Sequence, residues 1–203
     1  MKIFCIGRNY AAHARELGNT IPEEPMIFMK PSTALLVNNK PFYYPEFSKD
    51  IQYEAEIVLQ ICKNGKHIEP QFAHQYYDAV AIGIDFTARD LQQRCKDNKH
   101  PWEIAKGFDN SAPVSKFIPI KEAMQGGSVQ FHFNKNGKTV QRGDTSNMIH
   151  SFDAIVCYIS KFFKLQQGDF VFTGTPEGVG PIAVGDVFEG FIGERRLLKC
   201  EVK

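Results

Sequence analysis

Apolar and polar side chains alternate along residues 51–61, and this run constrains the fold more than any other feature of the sequence. A period of two is that of a β-strand, whereas a helix repeats its apolar positions about every 3.6 residues. A half-buried strand also needs neighbouring strands to pair with. The run therefore predicts a sheet whose apolar face includes Ile51, Tyr53, Ala55, Ile57, Leu59 and Ile61.

Strand-like segments are also the commonest feature of the rest of the chain. Further strands are predicted at residues 2–6, 26–29, 35–37, 79–84, 129–133, 139–141, 170–172, 187–192 and 197–202. Asn136-Gly137 predicts a tight hairpin turn between two of them. The strands do not alternate with helices as in β-α-β units, so the sequence predicts one β-rich α+β domain over residues 1–203.

Helical signals are few. A short helix is predicted at residues 10–17, with Asn9 as its cap and Gly18 at its end, and another is predicted at 70–78. A third is predicted at 91–94, because Thr87 and Asp90 have the spacing of a capping box, with Asp in place of the usual Glu. The longest is an amphipathic helix that begins at a cap on Thr145 or Ser146 and runs to residue 163. The first helix has only about two turns and leads into a polar segment with two prolines, so we expect residues 9–25 to be mobile.

The charge balance and the cysteines exclude several classes of protein. The 203 residues include 24 Lys and Arg against 23 Asp and Glu, so no basic surplus is available to bind nucleic acid. No apolar run approaches the roughly 18 residues of a membrane helix, and no signal-peptide core follows Met1. The five cysteines are scattered without a C-x-x-C pair, which favours reduced thiols. We therefore expect a cytoplasmic protein with neither a nucleic-acid nor a membrane partner.

Three carboxylates are candidates for a metal site. Glu54 and Glu56 lie two residues apart, so a strand turns both side chains to one face. Taken alone, such a pair is more often an exposed polar face, by about three to one. Asp85 favours function, because it follows the apolar segment 79–84 where a loop begins. An all-oxygen set favours Mg²⁺ or Mn²⁺ over zinc.

Three other features have both a functional and a structural interpretation. His13 and Glu16 lie three residues apart on the short helix, which suits either a carboxylate-supported general base or an exposed surface pair. Lys106 lies in an apolar stretch, where it either binds an anionic substrate or extends to solvent without a function. The glycine-rich residues 174–180 form either a simple turn or a backbone wall beside a small ligand.

Six segments occur in the order found in a known enzyme family. They are Gly7-Arg8-Asn9-Tyr10 with His13 and Glu16, Lys30-Pro31-Ser32, Tyr53-Glu54-Ala55-Glu56, residues 83–90 with Gln92, residues 105–109, and Gly174-Thr175-Pro176 through Pro181. Together they resemble the fumarylacetoacetate hydrolase family, in particular its short acylpyruvate hydrolase and oxaloacetate decarboxylase branch. The resemblance implies a mixed β-roll or barrel of the fumarylacetoacetase C-terminal type that forms homodimers.

The resemblance also implies a role for each candidate residue. It implies that Glu54, Glu56 and Asp85 bind Mg²⁺ or Mn²⁺, and that His13 and Glu16 activate water from a lid formed by residues 9–25. The residues that it places against the substrate are Lys106, Arg89, Gln92 and Thr175.

The implied function is hydrolysis of the C–C bond of acylpyruvates, 2,4-dioxo acids such as acetylpyruvate or fumarylpyruvate, by way of a pyruvate enolate. Decarboxylation of oxaloacetate gives the same enolate. One alternative is an isomerase or hydratase that acts on 2-oxo-dioates of aromatic catabolism. Another, from a different class, is a non-catalytic binding protein for 2-oxo acids, which has no use for His13 and Glu16.

Overall fold

The computed structural model describes residues 1–16, 18 and 20–203. In that part of the chain, the strands are β1 (Ile3–Gly7), β2 (Met26–Lys30), β3 (Leu35–Leu36), β4 (Ile51–Tyr53), β5 (Ala55–Ile61), β6 (Tyr77–Ile84), β7 (Thr87–Ala88), β8 (Ala112–Pro113), β9 (Ile118–Pro119), β10 (Met124–Gln125), β11 (Ser128–Lys135), β12 (Lys138–Asp144), β13 (Phe170–Phe172), β14 (Gly180–Pro181), β15 (Val187–Ile192) and β16 (Arg195–Glu201). The α-helices are α1 (Ala11–Glu16), α2 (Arg89–Asp97), α3 (Glu103–Lys106), α4 (Ile120–Ala123) and α5 (Phe152–Phe162). Short 3₁₀ helices cover Ser32–Ala34, Pro70–Gln75 and Thr145–Asn147.

The largest sheet has the strand order β2-β1-β13-β5-β6-β9. Strands β1 and β13 run parallel, and the other neighbours are antiparallel. Every residue of β5 from Ala55 to Leu59 is buried, because this strand is central in the sheet and covered on both faces. The predicted β-rich α+β class is confirmed.

A second sheet, with the order β10-β11-β15-β16 and β12 beside β11, packs against the first. The two sheets approach closely at Gly190, where a Cβ would lie 3.0 Å from the side chain of Ile82. The hairpin between β11 and β12 turns at Asn136-Gly137 as predicted, with both residues at positive φ. The sheets curl into a half-barrel around one large apolar core.

The predicted strand at 51–61 is interrupted at Glu54, which corrects the sequence prediction. Strand β4 pairs with β7 and β14 in a small third sheet, while β5 pairs with β6 and β13 in the main sheet. At the break, the N–H of Ala55 donates to the side chain of Gln141 (2.9 Å) instead of to a strand. The chain thus changes sheets at Glu54, beside the candidate metal ligands.

Two predicted helices differ from the structure. The segment 70–78 is a 3₁₀ helix that ends at Gln75, because β6 begins at Tyr77. The long helix does not begin at Thr145 or Ser146, which lie in a separate 3₁₀ turn. It begins after Ser151, whose hydroxyl accepts a hydrogen bond from the N–H of Ala154 (3.3 Å).

The N-terminal helix covers Ala11–Glu16, and the predicted last residue, Leu17, lies outside the described residues. Gly18 has the positive φ of +65° expected at a helix end. The side chain of Asn9 does not cap this helix. Its amide group instead donates to the carbonyls of His150 (3.0 Å) and Thr173 (2.8 Å), and ties the segment to the main sheet. The lid at residues 9–25 stays a prediction.

In the described part of the chain, no helix is both long and apolar enough to cross a bilayer.

We expect Ser151→Ala to lower the free energy of unfolding by about 1 kcal/mol, because it removes the cap of α5. Urea denaturation followed by circular dichroism measures the change. The matched control is Ser146→Ala, at the cap position that the sequence suggested, and we expect it to change stability by less than about 0.5 kcal/mol. Equal losses in both variants would contradict the assignment of the cap.

Candidate active site

Three buried carboxylates converge at the carboxyl-terminal end of β6. Each of Glu54, Glu56 and Asp85 offers an oxygen, and these oxygens all lie within 4.8 Å of one another. Their side chains are almost completely buried, with residue exposures of 5%, 2% and 0%. Burial of three acids at this spacing is costly unless cations compensate them. The structure therefore brings together the three residues that the sequence singled out.

The backbone fixes the carboxylates relative to one another. Glu56 lies in β5, directly opposite Gly83 of β6. Asp85 follows β6, and its N–H donates to the carbonyl oxygen of Glu54 across the strand break (2.8 Å). The backbone pairing of β5 with β6, together with this hydrogen bond, thus fixes the relative positions of Glu54, Glu56 and Asp85.

Lys106 at the end of α3 neutralises two of the carboxylates. Its ammonium lies 2.8 Å from Glu54 Oε2 and 2.7 Å from Asp85 Oδ2, and it donates to the hydroxyl of Thr87 (2.5 Å). Burial alone would lower the pKa of Lys106, but the charges of Asp85 and Glu54 outweigh burial and raise it. The ammonium therefore stays charged, in the floor of a polar site and not in the apolar setting that the local sequence suggested.

Arg89 at the start of α2 gives Glu54 a second cation. Its guanidinium lies 2.6 Å from Glu54 Oε1 and also donates to the side-chain oxygens of Gln52 (3.0 Å) and Gln92 (2.7 Å). Burial alone would raise the pKa of Glu54, but Lys106 and Arg89 hold it well below its ordinary value. Glu54 is therefore a permanent carboxylate.

Lys30 is a buried cation whose role the sequence did not reveal. It ends β2 with 1% exposure, and its Nζ lies 2.8 Å from Asp85 Oδ1. Its hydrogen bonds, however, go to the carbonyls of Lys106, Phe86 and Ser111 and to the hydroxyl of Ser111 (2.9 Å). Asp85 Oδ1 consequently faces a positive charge but accepts no hydrogen bond of good geometry in the described structure.

Glu56 is the carboxylate with the least compensation. It accepts a hydrogen bond from the N–H of Gly174 (2.7 Å), and no ammonium or guanidinium in the described residues pairs with it. Burial, followed by the charges of Asp85 and Glu54, raises the pKa of Glu56 well above its ordinary value. Positive charge is therefore deficient on the Glu56 side of the cluster.

This donor set fits a hard divalent cation. It consists only of carboxylate oxygens, and it is short of positive charge at Glu56. It also includes Asp85 Oδ1, a buried acceptor to which no described residue donates a hydrogen bond. Hard cations such as Mg²⁺ and Mn²⁺ prefer oxygen ligands of this kind.

The predicted dyad lies on α1 at the edge of the same cleft. His13 Nδ1 is 3.3 Å from Glu16 Oε2, and the exposed fractions of the side chains are 5% for His13 and 33% for Glu16. The carboxylate of Glu16 also accepts hydrogen bonds from the N–H of Gly178 (3.0 and 3.3 Å). The surface-pair interpretation of His13 is wrong, because this imidazole is buried and lines the cleft.

The remaining predicted residues also lie at the cleft, which is lined by Ile6, Gly7, Arg8, His13, Met26, Phe28, Glu54, Glu56, Asp85, Arg89, Gln92, Lys96, Trp102, Lys106 and Thr175. Thr175 accepts a hydrogen bond from Gln141 (2.8 Å), a buried residue of β12 that also accepts from Ala55. Gln141 therefore joins the strand break to the glycine-rich loop. Gly174 of this loop has a φ of +102°, and a Cβ there would lie 2.6 Å from the Cβ of Asn9.

Sequence reasoning missed several residues of this site. Lys30 stands in a segment that contributed to the family resemblance, but nothing local gives it a role, because its hydrogen-bond partners lie 56 to 81 residues away. No local sequence pattern pointed to Gln141, because its side chain binds residues that are distant in the sequence, Ala55 and Thr175. Thr87 resembled a helix cap, yet it binds Lys106, and α2 begins without a side-chain cap. Arg8 and Lys96 also line the cleft without having been assigned a function.

The fold is a curled β-roll, and its site combines three convergent carboxylates, which fit a divalent cation, with a His–Glu pair. Together they define one class of enzyme. The chain belongs to the fumarylacetoacetate hydrolase family: residues 2–202 match the family described as fumarylacetoacetate (FAA) hydrolase C-terminal. The resemblance inferred from the six sequence segments is confirmed.

Individual relatives are similar over nearly the whole chain. The mitochondrial oxaloacetate tautomerase FAHD1 of Mus musculus is 38% identical over 201 residues, which is 99% of this chain and 91% of the mouse protein. The mitochondrial oxaloacetate decarboxylase of Dictyostelium discoideum is 39% identical over 189 residues, or 93% of this chain and 87% of that protein. The crystal structure of fumarylpyruvate hydrolase from Pseudomonas aeruginosa, in complex with Mn²⁺ and pyruvate, has a TM-score of 0.93 and 38% identity and covers 100% of this chain and 89% of its own.

We expect Glu56→Gln to stabilise the protein in EDTA, because it removes a buried carboxylate that Asp85 and Glu54 repel and keeps an acceptor for Gly174. A gain of about 1 kcal/mol corresponds to a rise in Tm of roughly 2–4 °C for a chain of this size. Added Mn²⁺ should raise the Tm of the wild type but not that of the variant.

Thermal unfolding followed by circular dichroism, with and without Mn²⁺, measures both effects. The control is Glu46→Gln at an exposed glutamate, which should leave both values unchanged. A Glu56→Gln protein that Mn²⁺ stabilises as strongly as the wild type would remove Glu56 from the metal site.

Proposed function

We propose that this protein is an Mg²⁺- or Mn²⁺-dependent hydrolase that cleaves the C–C bond of acylpyruvates. The observation that carries the proposal is the cluster of Glu54, Glu56 and Asp85 in one cleft with His13 and Glu16. When bound, the metal ion would supply a Lewis acid that orients and polarises the 2-oxo acid head group. A non-catalytic binding protein would have no need for the buried His13 next to that cluster.

His13 is the proposed general base. Its Nδ1 proton is donated to Glu16, which fixes the tautomer and leaves Nε2 as the basic nitrogen of the ring. Nε2 takes a proton from water, the water oxygen bonds to the distal carbonyl carbon, and the C–C bond breaks with its electron pair moving to the pyruvate fragment as an enolate. Protonation of that enolate at C3 then gives pyruvate and a carboxylic acid.

Lys106, Arg89 and Gln92 hold the substrate in this proposal. The ammonium of Lys106 is fixed by two carboxylates before substrate binds, so it needs no reorganisation when charge develops on the enolate. Arg89 engages the oxygen of Gln92, which leaves the amide N–H groups of Gln92 to donate to a ligand. Thr175 supplies a hydroxyl from the glycine-rich loop.

Residues 9–25 are proposed to act as a lid. Glu16 binds both His13 and the N–H of Gly178, so the dyad and the glycine-rich loop assemble together. Closure of such a segment would exclude bulk water and place His13 against the substrate. We further propose that the protein is a cytoplasmic homodimer, although the tautomerase and the decarboxylase described above are named as mitochondrial.

Oxaloacetate is the second candidate substrate, because the tautomerase and the decarboxylase named above are similar to this chain along almost its entire length. Decarboxylation yields the same pyruvate enolate without an attacking water. Tautomerisation only moves a proton between C3 and the enol oxygen. Assays of acetylpyruvate, fumarylpyruvate and oxaloacetate with Mg²⁺ and with Mn²⁺, which follow pyruvate, CO₂ and the enol separately, distinguish the three reactions.

We expect His13→Ala to lower kcat for acylpyruvate hydrolysis by at least about 100-fold, because a positioned general base contributes about that much. Glu16→Gln should give a smaller loss, since it keeps the imidazole and weakens only its orientation. Steady-state release of pyruvate measures both rates.

Mn²⁺ affinity measured by calorimetry should be unchanged in His13→Ala, which separates the dyad from the metal ligands. His74→Ala, at an exposed histidine, is the matched control and should keep the wild-type rate. Turnover by His13→Ala at the wild-type rate would rule out the dyad.

We expect Glu54→Gln to weaken Mn²⁺ binding by at least about tenfold, because it removes one ligand charge and leaves Lys106 and Arg89 with less compensation. Isothermal titration calorimetry measures the affinity, and Glu46→Gln is again the control. Unchanged Mn²⁺ affinity, together with full activity in EDTA, would exclude a metal site formed by the three carboxylates.

A further inference from the structure

The cleft contains two cations that the proposed chemistry does not use. Arg8 and Lys96 line it together with Arg89 and Lys106. Arg89 and Lys106 are both fixed to Glu54, whereas neither Arg8 nor Lys96 makes an ion pair or donates a side-chain hydrogen bond within the residues that the structure describes. Two of the four cations in the cleft are therefore available to a ligand.

The structure holds Arg8 in an unusual backbone conformation. Arg8 lies between β1 and α1 and has a backbone φ of +58°. This value is in the left-handed region, which residues other than Gly, Asn and Asp rarely adopt. Such a conformation costs free energy and persists where the surroundings impose it, often at functional sites. The neighbouring residues do impose it here, because Gly7 ends β1 and the side chain of Asn9 is fixed by the carbonyls of His150 and Thr173.

Lys96 lies in the last turn of α2 and is half-buried. Its Nζ is 5.8 Å from the centre of the Trp102 ring, a cation–π distance that keeps the ammonium at the cleft. Burial, followed by the charges of Arg89 and Arg8, lowers the pKa of Lys96. Arg8 and Arg89 line the same cleft as this ammonium, so an anion bound among these three cations would relieve the repulsion between their like charges.

We propose that Arg8 and Lys96 form a subsite for a second, distal carboxylate, so that the protein prefers 2-oxo dicarboxylates to 2-oxo monocarboxylates of equal length. The inference rests on the proposed function, because it assumes that the 2-oxo head group binds at Glu54, Glu56 and Asp85. The guanidinium of Arg8 offers a planar fork that matches a carboxylate, and Lys96 adds a point charge. In this arrangement, Arg8 and Lys96 select among the substrates that the head-group site accepts.

The test uses non-reacting ligands that differ only at the distal end. 2-Oxoglutarate is compared with 2-oxopentanoate, and 2-oxoadipate with 2-oxohexanoate, by isothermal titration calorimetry on the Mn²⁺-loaded protein at low salt. For the better-fitting length, we expect the wild type to bind the dicarboxylate on the order of 10- to 100-fold more tightly, as charge-assisted hydrogen bonds provide. The double variant R8Q/K96Q should lose that preference and bind the monocarboxylate within about twofold of the wild type.

Further variants separate charge from folding. Lys99→Gln removes an exposed lysine just beyond α2 and should keep the full preference. Lys96→Arg keeps the charge and should retain most of the preference, and the single Lys96→Gln variant gives a partial loss even if substitution of Arg8 disturbs the fold. Circular dichroism confirms that each variant is folded.

The outcomes distinguish this inference from the proposed function. Equal affinity of the wild type for the two ligands of each pair would overturn the distal subsite, and so would an undiminished preference in R8Q/K96Q. In either case the head group still binds, and the proposed function stands. Failure of all four ligands to bind the Mn²⁺-loaded wild type would overturn both proposals, because it removes the head-group site itself.

Discussion

The structure depends on the compensation of three carboxylates that are buried within 4.8 Å of one another. Such a cluster is tolerable only where cations reach it from several directions, and each cation here comes from a different element. Lys30 ends β2, Arg89 begins α2 and Lys106 ends α3. The carboxylates therefore hold distant parts of the chain in register as well as forming a site, because removal of any one cation leaves a buried carboxylate with less compensating charge.

The uneven distribution of those cations gives the site its chemical character. Among the residues that the structure describes, Glu54 has two cationic partners and Asp85 has two, whereas Glu56 has only a backbone N–H. A divalent ion would supply the missing charge on the Glu56 side. Because the ion would share in neutralising Glu54 and Asp85, part of the positive electrostatic potential of Lys106 would then act on a bound anion. The uneven placement of the cations around the three carboxylates thus explains both the deficit of positive charge at Glu56 and the ability of Lys106 to attract an anionic substrate.

The sequence predicted features that depend on local pattern and failed where distant groups intervene. Alternation identified the strand that carries Glu56, and Asn136-Gly137 identified the hairpin between β11 and β12, because side-chain period and turn conformation are local properties. The break at Glu54 keeps the same alternation and is therefore invisible in the sequence. It depends on a hydrogen bond from Ala55 to Gln141, which lies 86 residues away along the chain.

The candidate site shows the same division. Short-range spacing was enough to identify five residues of the site. Glu54 and Glu56 lie two apart on the predicted strand, His13 and Glu16 lie three apart on a helix, and Asp85 directly follows an apolar strand. The importance of Lys30 depends on where β2 ends relative to the loop after β6, which only the assembled sheet determines. Thr87 was mistaken for a cap because its spacing to Asp90 is that of a capping box, although Asp90 instead binds Ser48 and the N–H of Lys49.

The position of the unpaired cations bears on how a substrate would be oriented. Cations that are fixed to carboxylates have much of their field cancelled, whereas Arg8 and Lys96 retain theirs. With a divalent ion in the carboxylate cluster, both the cluster and the Arg8–Lys96 side of the cleft would be positive. A ligand with one anionic end would satisfy only one of these regions and leave the other uncompensated in a partly buried cleft. A ligand with two anionic ends would satisfy both, so the same electrostatics that fit a divalent ion also favour a dicarboxylate.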